Sequence, residues 1–168
     1  MSLYDQTIPQ FKNTLTQLDK WLDAAVAYAK AKSFEPAVLL NSRLAPDQYP
    51  LVRQIQAVCD AAKFTAARVT GKEPPKHPDT EQTVEELRTR IRAVQEYLGS
   101  YKPEDFAGAE TRQVKLPWLE GKYVLGVDYV NQLQLPNFYF HATLAYEILR
   151  HNGVPLGKTD YIGHVNLH

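Results

Sequence analysis

The stretch IPQFKNTLTQLDKWLDAAVAYA, residues 8–29, decides the fold class. Its apolar positions Ile8, Phe11, Leu15, Leu18, Leu22, Ala25 and Ala29 are spaced alternately by 3 and 4 residues, the period of one helical face. Lys12, Gln17, Asp19, Lys20 and Asp23 fall off that stripe, where solvated positions belong. Pro9 cannot donate a backbone N–H, so it is expected in the first turn or at a kink. A helix over about residues 5–31 follows.

C-terminal to it, KSFEPAVLLNSRLAPDQYP, residues 32–50, contains three prolines and cannot be one helix. It reads as a long crossover with room for one turn at 37–40 after Pro36. The second helix is expected from Pro50 to Gly71, a natural position for the left-handed residue that ends a helix. Leu51, Val52, Ile55, Val58, Cys59, Ala62, Ala66 and Val69 cover an arc of about 120° on it, with Gln54 and Gln56 just outside the two edges. The reverse side carries Arg53, Asp60 and Lys63 but also Ala57, Ala61 and Phe64, which suggests a second contact surface.

KEPPKHPD, residues 72–79, is a proline-rich loop. Asp79 or Thr80 is expected to open the third helix, with Gln82 or Thr83 completing a capping box. Val84, Leu87, Ile91, Val94 and Leu98 form its stripe and Gly99 closes it. Arg88, Arg90 and Arg92 answer Glu81, Glu85, Glu86 and Glu96 on a mixed-charge face expected to be solvated. Between 100 and 126 the period changes to alternation: Val114, Leu116 and Trp118, a turn at Glu120-Gly121, then Tyr123 and Leu125. That is a small hairpin with Pro117 at an edge. The fourth helix runs from about Asp128 to Arg150 or His151, kinked at Pro136 and stopped by Asn152-Gly153. The whole chain, 1–168, thus reads as one all-α domain: a four-helix bundle with a long crossover after helix 1 and a hairpin before helix 4.

Composition narrows the function classes. Lys plus Arg and Asp plus Glu both number 19, so no net field recruits nucleic acid or an anionic membrane. No apolar run reaches the roughly 18–20 residues of a membrane span, and MSLYDQTIPQ lacks a signal-peptide core, so a soluble cytoplasmic protein is expected. Cys59 is the sole cysteine, which excludes an internal disulfide and a cysteine-based zinc site. On the buried arc its thiol should be inert. The phosphate-loop, dinucleotide, HExxH and GxSxG motifs are all absent.

Of the five histidines, His77, His164 and His168 read as solvated, and His151 complements a helix C-terminus. His141 differs. Val130, Leu133, Leu144, Ala145 and Ile148 all lie within about 80° of it on the fourth helix. Gln134 and Asn137 run along the same line, so a polar pocket or seam is expected in the core. Three readings of His141 stand open: a hydrogen-bonded core histidine, part of a small-ligand pocket, or a metal ligand. Asn137, one turn away, is a poor donor for transition metals, which need three or four good ones. Phe64 on the back of the second helix, with Trp118 and Tyr123 on the hairpin, suggests a two-fold homodimer.

LPNFYFHATLAYEILRHNGVPLGK, residues 135–158, and NSRLAPDQYPLVRQIQ, residues 41–56, closely resemble a bacterial family of unknown function in the DinB/YfiT-like superfamily of helical bundles. The resemblance extends over essentially the whole chain, including SLYDQTIPQF and the GKEPP stretch. It implies a metalloenzyme scaffold with one histidine on helix 2 and an H-x-x-x-H pair on helix 4. His141 matches the second histidine of that pair; Asn137 stands at the first, and Gln54 or Gln56 at the helix 2 position. Two functions therefore follow as expectations. One is a ligand-binding or degenerate relic, with Gln54, Gln56, Asn137 and His141 lining a pocket. The other is an active metal-dependent transferase or hydrolase that uses His141 to hold Zn, Ni or Fe.

Overall fold

The computed structural model describes residues 1–165 and Leu167; the expected solvated position of His168 lies outside the described residues. Helix α1 spans Leu3–Ala31, opened by a reciprocal pair of hydrogen bonds between Ser2 and Asp5. Pro9 lies inside the helix, past its first turn. The crossover holds one short helix, α2 (Ala37–Leu40), before Pro50 delivers the chain to α3 (Leu51–Thr70). Gly71 ends α3 at φ 77°, a left-handed conformation that glycine adopts without steric cost.

The third long helix, α4 (Val84–Gly99), begins later than its sequence suggests. Thr83 caps it, and Glu86 closes the capping box in place of Gln82. Asp79, expected at the helix start, instead stands in the loop at φ 56°, a conformation aspartate tolerates better than most residues. Its carboxylate is held by two arginines rather than by helix N–H groups.

The hairpin is shorter than its alternation implies. Strand β1 (Gln113–Val114) pairs antiparallel with β2 (Val124–Leu125), Val114 opposite Val124. Trp118 falls instead in a 3-10 turn, Pro117–Leu119, because Pro117 removes the donor a longer strand would need. After β2 the chain turns at Gly126, whose N–H donates to the Arg112 carbonyl at 2.8 Å. A Cβ there would lie 1.9 Å from the Ala109 carbonyl oxygen, so only glycine fits.

Helix α5 (Gly126–Asp128) runs into a π-helical turn, Tyr129–Gln134, and then into α6 (Leu135–His151). The irregularity expected at Pro136 is this wide turn. The Leu135 N–H reaches back five residues to the Val130 carbonyl, while Pro136 sits in the first turn of α6, where its missing donor costs least. A last helix, α7 (Lys158–Ile162), folds back on α1: the Trp21 indole N–H donates to the Asp160 carbonyl at 3.0 Å.

Among the described residues α1, α3, α4 and α6 are the long helices. α3 packs on α1, α4 and α6, and α1 on α3, α4 and α6, around one continuous core. Phe11 meets Phe138 at 4.4 Å between ring centroids, joining α1 to α6. Burying each such side chain contributes about 1.5–3 kcal/mol. No helix is long and apolar enough to cross a membrane among the described residues.

The core is not purely apolar. Gln17, Gln54, Gln56, Lys63, Thr65, Arg90 and Gln134 are all buried, although Gln17, Lys63 and Arg90 were expected on solvated faces. For α3 the reason is geometric: its neighbours on three sides leave almost no outer face.

Candidate functional site

α3 carries the polar residues, and its rotation divides them into separate groups. On one side, Gln54 Oε1 lies 2.7 Å from His141 Nδ1 on α6, while Gln54 Nε2 donates to the Tyr49 carbonyl at 3.1 Å. A carbonyl only accepts, so the amide orientation is set by Tyr49. The oxygen of Gln54 then faces the imidazole, and His141 Nδ1–H must be the donor. Neutral His141 therefore keeps a lone pair on Nε2. Burial holds its pKa below the ordinary histidine value, which favours that neutral form. The ring lies nearly parallel to Tyr49 and edge-on to Phe140.

On the other side of α3, a cleft of about 220 Å³ opens toward the π-helical turn. Arg53, Gln56, Asp60, Arg68, Asp79, Gln134 and Asn137 give it polar walls, and Ala57, Ala61 and Phe64 supply its apolar surface. The structure thus joins Gln54 to His141 and sets Gln56 and Asn137 in the neighbouring cleft. The alanine-phenylalanine patch on the back of α3 is part of this cleft: Ala61 is buried, and Phe64 lies under Lys63 and Arg68, each 4.8 Å from its centroid.

Asp60, Asp79 and Arg53 of the cleft wall belong to an ion network that continues behind it. Arg90, with a side chain only 1% exposed, reaches Asp60 at 2.6 Å, Asp79 at 2.5 Å and Glu81 at 3.1 Å. Lys63, also buried, pairs with Asp60 at 2.7 Å and donates to His77 Nδ1 at 3.0 Å. Gln56 bridges Arg53 and Glu81 at 2.7 and 2.8 Å. The proline-rich loop and the segment after it are thereby strapped to α3 and α4. His77, expected to be solvated, is instead a half-buried acceptor for an ammonium.

The charges respond accordingly. Burial works to raise the Asp79 and Glu81 carboxyls. For Asp79, hydrogen bonds from Arg90 and Arg53 outweigh burial and hold the pKa below its ordinary value. For Glu81, backbone, Arg90 and Gln56 hydrogen bonds do the same. Burial lowers the His77 pKa, and the Lys63 and Arg90 charges lower it further. Burial pushes the Cys59 thiol up to about 12, leaving almost no thiolate at neutral pH.

The metal that the scaffold implies can be tested against these donors. His141 is bonded to an amide, and Asn137 is an amide. Among the described residues no three His, Cys, Asp or Glu side chains group so as to hold a metal ion. Zn, Ni or Fe would find one good donor here rather than three or four, so the residues do not fit such an ion.

Sequence reasoning did not single out Arg53, Asp60, Lys63, Arg68, Asp79, Glu81 or Arg90 as site residues. Arg68 had a usable signal: it continues the spacing of Ala57, Ala61 and Phe64 by one more step. Arg90 had none, because its partners come from 30, 11 and 9 residues away in the chain.

The long helices α1, α3, α4 and α6 make a mostly helical fold, and the comparisons place it among DinB-like proteins. The chain belongs to the family described as "Domain of unknown function (DUF1993)", which it matches over residues 3–162. It is similar to the crystal structure of a DinB family member protein from Shewanella denitrificans. The two are 48% identical, with a TM-score of 0.96, over 99% of this chain and 94% of that one. No curated protein matches the chain.

Proposed function

We propose that this protein is a ligand-binding relic of a metalloenzyme scaffold: a four-helix bundle whose histidine site is incomplete and whose working feature is the cleft beside it. The observation that carries this reading is the bonding of His141. Its Nδ1 is held by the Gln54 amide, and the neighbouring helical position is the amide of Asn137. Amides hold transition metals poorly but suit hydrogen bonding to a small organic molecule.

The test is metal analysis of protein purified without a histidine tag. Metal below stoichiometric levels, and a thermal midpoint indifferent to added Zn, Ni or Fe, is the expected result. Stoichiometric metal that is lost in His141→Ala would overturn the relic. It would favour the second reading, a metal-dependent transferase or hydrolase. One observation speaks for that reading: the unprotonated Nε2 of His141 could serve a metal completed by water or by a partner chain.

The proposal also places the protein in the cytoplasm, where a lone buried thiol is compatible with a reducing environment. It makes the protein a homodimer. Trp118 is 64% and Tyr123 50% exposed, and such amphipathic aromatics on a chain of zero net charge suit a two-fold contact.

A further inference from the structure

We propose that the ligand of the α3 cleft is a small monocarboxylate with an apolar body, its charge taken up by Arg68. This rests on reading the cleft as a binding site and adds the chemical class of what it binds.

Charge counting across the cleft and the network behind it points to a monoanion. Arg53, Lys63, Arg68 and Arg90 supply four positive charges; Asp60, Asp79 and Glu81 supply three negative ones. Three of the cations are engaged. Arg53 pairs with Asp79, Lys63 with Asp60, and Arg90 with all three carboxylates. His77 adds no charge near neutrality, because burial and the nearby cations hold it unprotonated. Arg68 is the excess cation. Its one hydrogen bond among the described residues goes to the Tyr129 hydroxyl at 2.8 Å, and no carboxylate pairs with it there.

Arg68 is also pre-set. Its guanidinium lies against the rings of Phe64 and Tyr129, 4.8 and 5.9 Å from their centroids, and the Tyr129 hydroxyl fixes one of its nitrogens. Little side-chain freedom is left to lose when an anion arrives. Beside it, the Gln134 and Asn137 amides can donate to carboxylate oxygens. Ala57, Ala61 and Phe64 offer apolar surface to the remainder of the ligand. One bound negative charge would neutralise the assembly, whereas a dianion would overshoot it.

The experiment uses the full chain, with benzoate, its uncharged analogue benzamide and inorganic phosphate as probes, titrated by heteronuclear NMR. Benzoate should shift the amide signals of Ala57, Ala61 and Arg68 saturably, with benzamide and phosphate each at least about tenfold weaker, as expected for one charge-assisted contact. Arg68→Gln, which keeps a polar side chain but removes the charge, should erase the preference for benzoate over benzamide. Asn137→Asp, at a partly exposed position on the wall that α6 supplies, should weaken benzoate more than benzamide.

Equal binding of benzoate and benzamide would overturn the carboxylate class while leaving the cleft a binding site. Tighter binding of phosphate than of benzoate would overturn a carboxylate ligand with an apolar body. If no probe shifts the cleft signals, the monocarboxylate assignment falls, and the metal analysis judges the parent reading separately.

Discussion

The proton on His141 is placed by a relay of two contacts, from the Tyr49 carbonyl through the Gln54 amide to Nδ1. A single residue, Gln54, therefore sets the tautomer of the one histidine on the inner face of α6. Gln54→Leu removes the acceptor and leaves a partly buried N–H without a partner. The expected loss is about 1–3 kcal/mol in urea-unfolding stability. The imidazole nitrogen-15 spectrum should change with it, from a form protonated at Nδ1 in the parent toward a mixture in the variant. A parent spectrum showing protonation at Nε2 would disprove the relay.

At the scale of elements, one buried arginine on α4 holds α3 and the loop between them in register. Arg90→Met keeps much of the side chain's volume but strips Asp60, Asp79 and Glu81 of their shared cation. Breaking a fully buried ion pair costs about 3–5 kcal/mol. These carboxylates keep some water and, in two cases, a second cation, so about 2–4 kcal/mol is expected from chemical denaturation. Adding Glu81→Gln to that variant should recover part of the loss, because it neutralises the carboxylate with the least solvent, 11% exposed. Additive losses in the double variant would mean that the two side chains are not coupled.

For the whole molecule, the network makes stability depend on pH with one sign. His77 and His141 have folded pKa values below the ordinary 6.5. As pH falls through 6.5, the unfolded chain takes up protons that the folded chain refuses, and stability declines. Asp79 and Glu81, held below their ordinary 3.8 and 4.5, contribute stability above those values and lose it as pH falls further. Denaturation midpoints should therefore fall in two stages on acidification. His77→Gln should flatten the first stage, since a protonated His77 would face the Lys63 ammonium 3.0 Å away. A midpoint independent of pH between 7 and 5 would contradict this. At the same scale, sedimentation equilibrium at micromolar concentration should give twice the 19.1 kDa chain mass. A concentration-independent mass of one chain would remove the dimer.

What sequence alone determined is whatever depends on local period. The 3-and-4 spacing of residues 8–29 placed α1, Gly71 marked the end of α3, and Pro136 marked where the fourth long helix would become irregular. The resemblance of residues 41–56 and 135–158 pointed to Gln54, Gln56, Asn137 and His141. Tertiary structure decided which of these meet, because Gln54 and Gln56 lie two residues apart and so point to different sides of α3. It also turned Arg90, Lys63 and His77 from expected surface groups into parts of a buried network. A charged residue reads as solvated from its neighbours along the chain, and only partners brought in by folding can offset the cost of burying it.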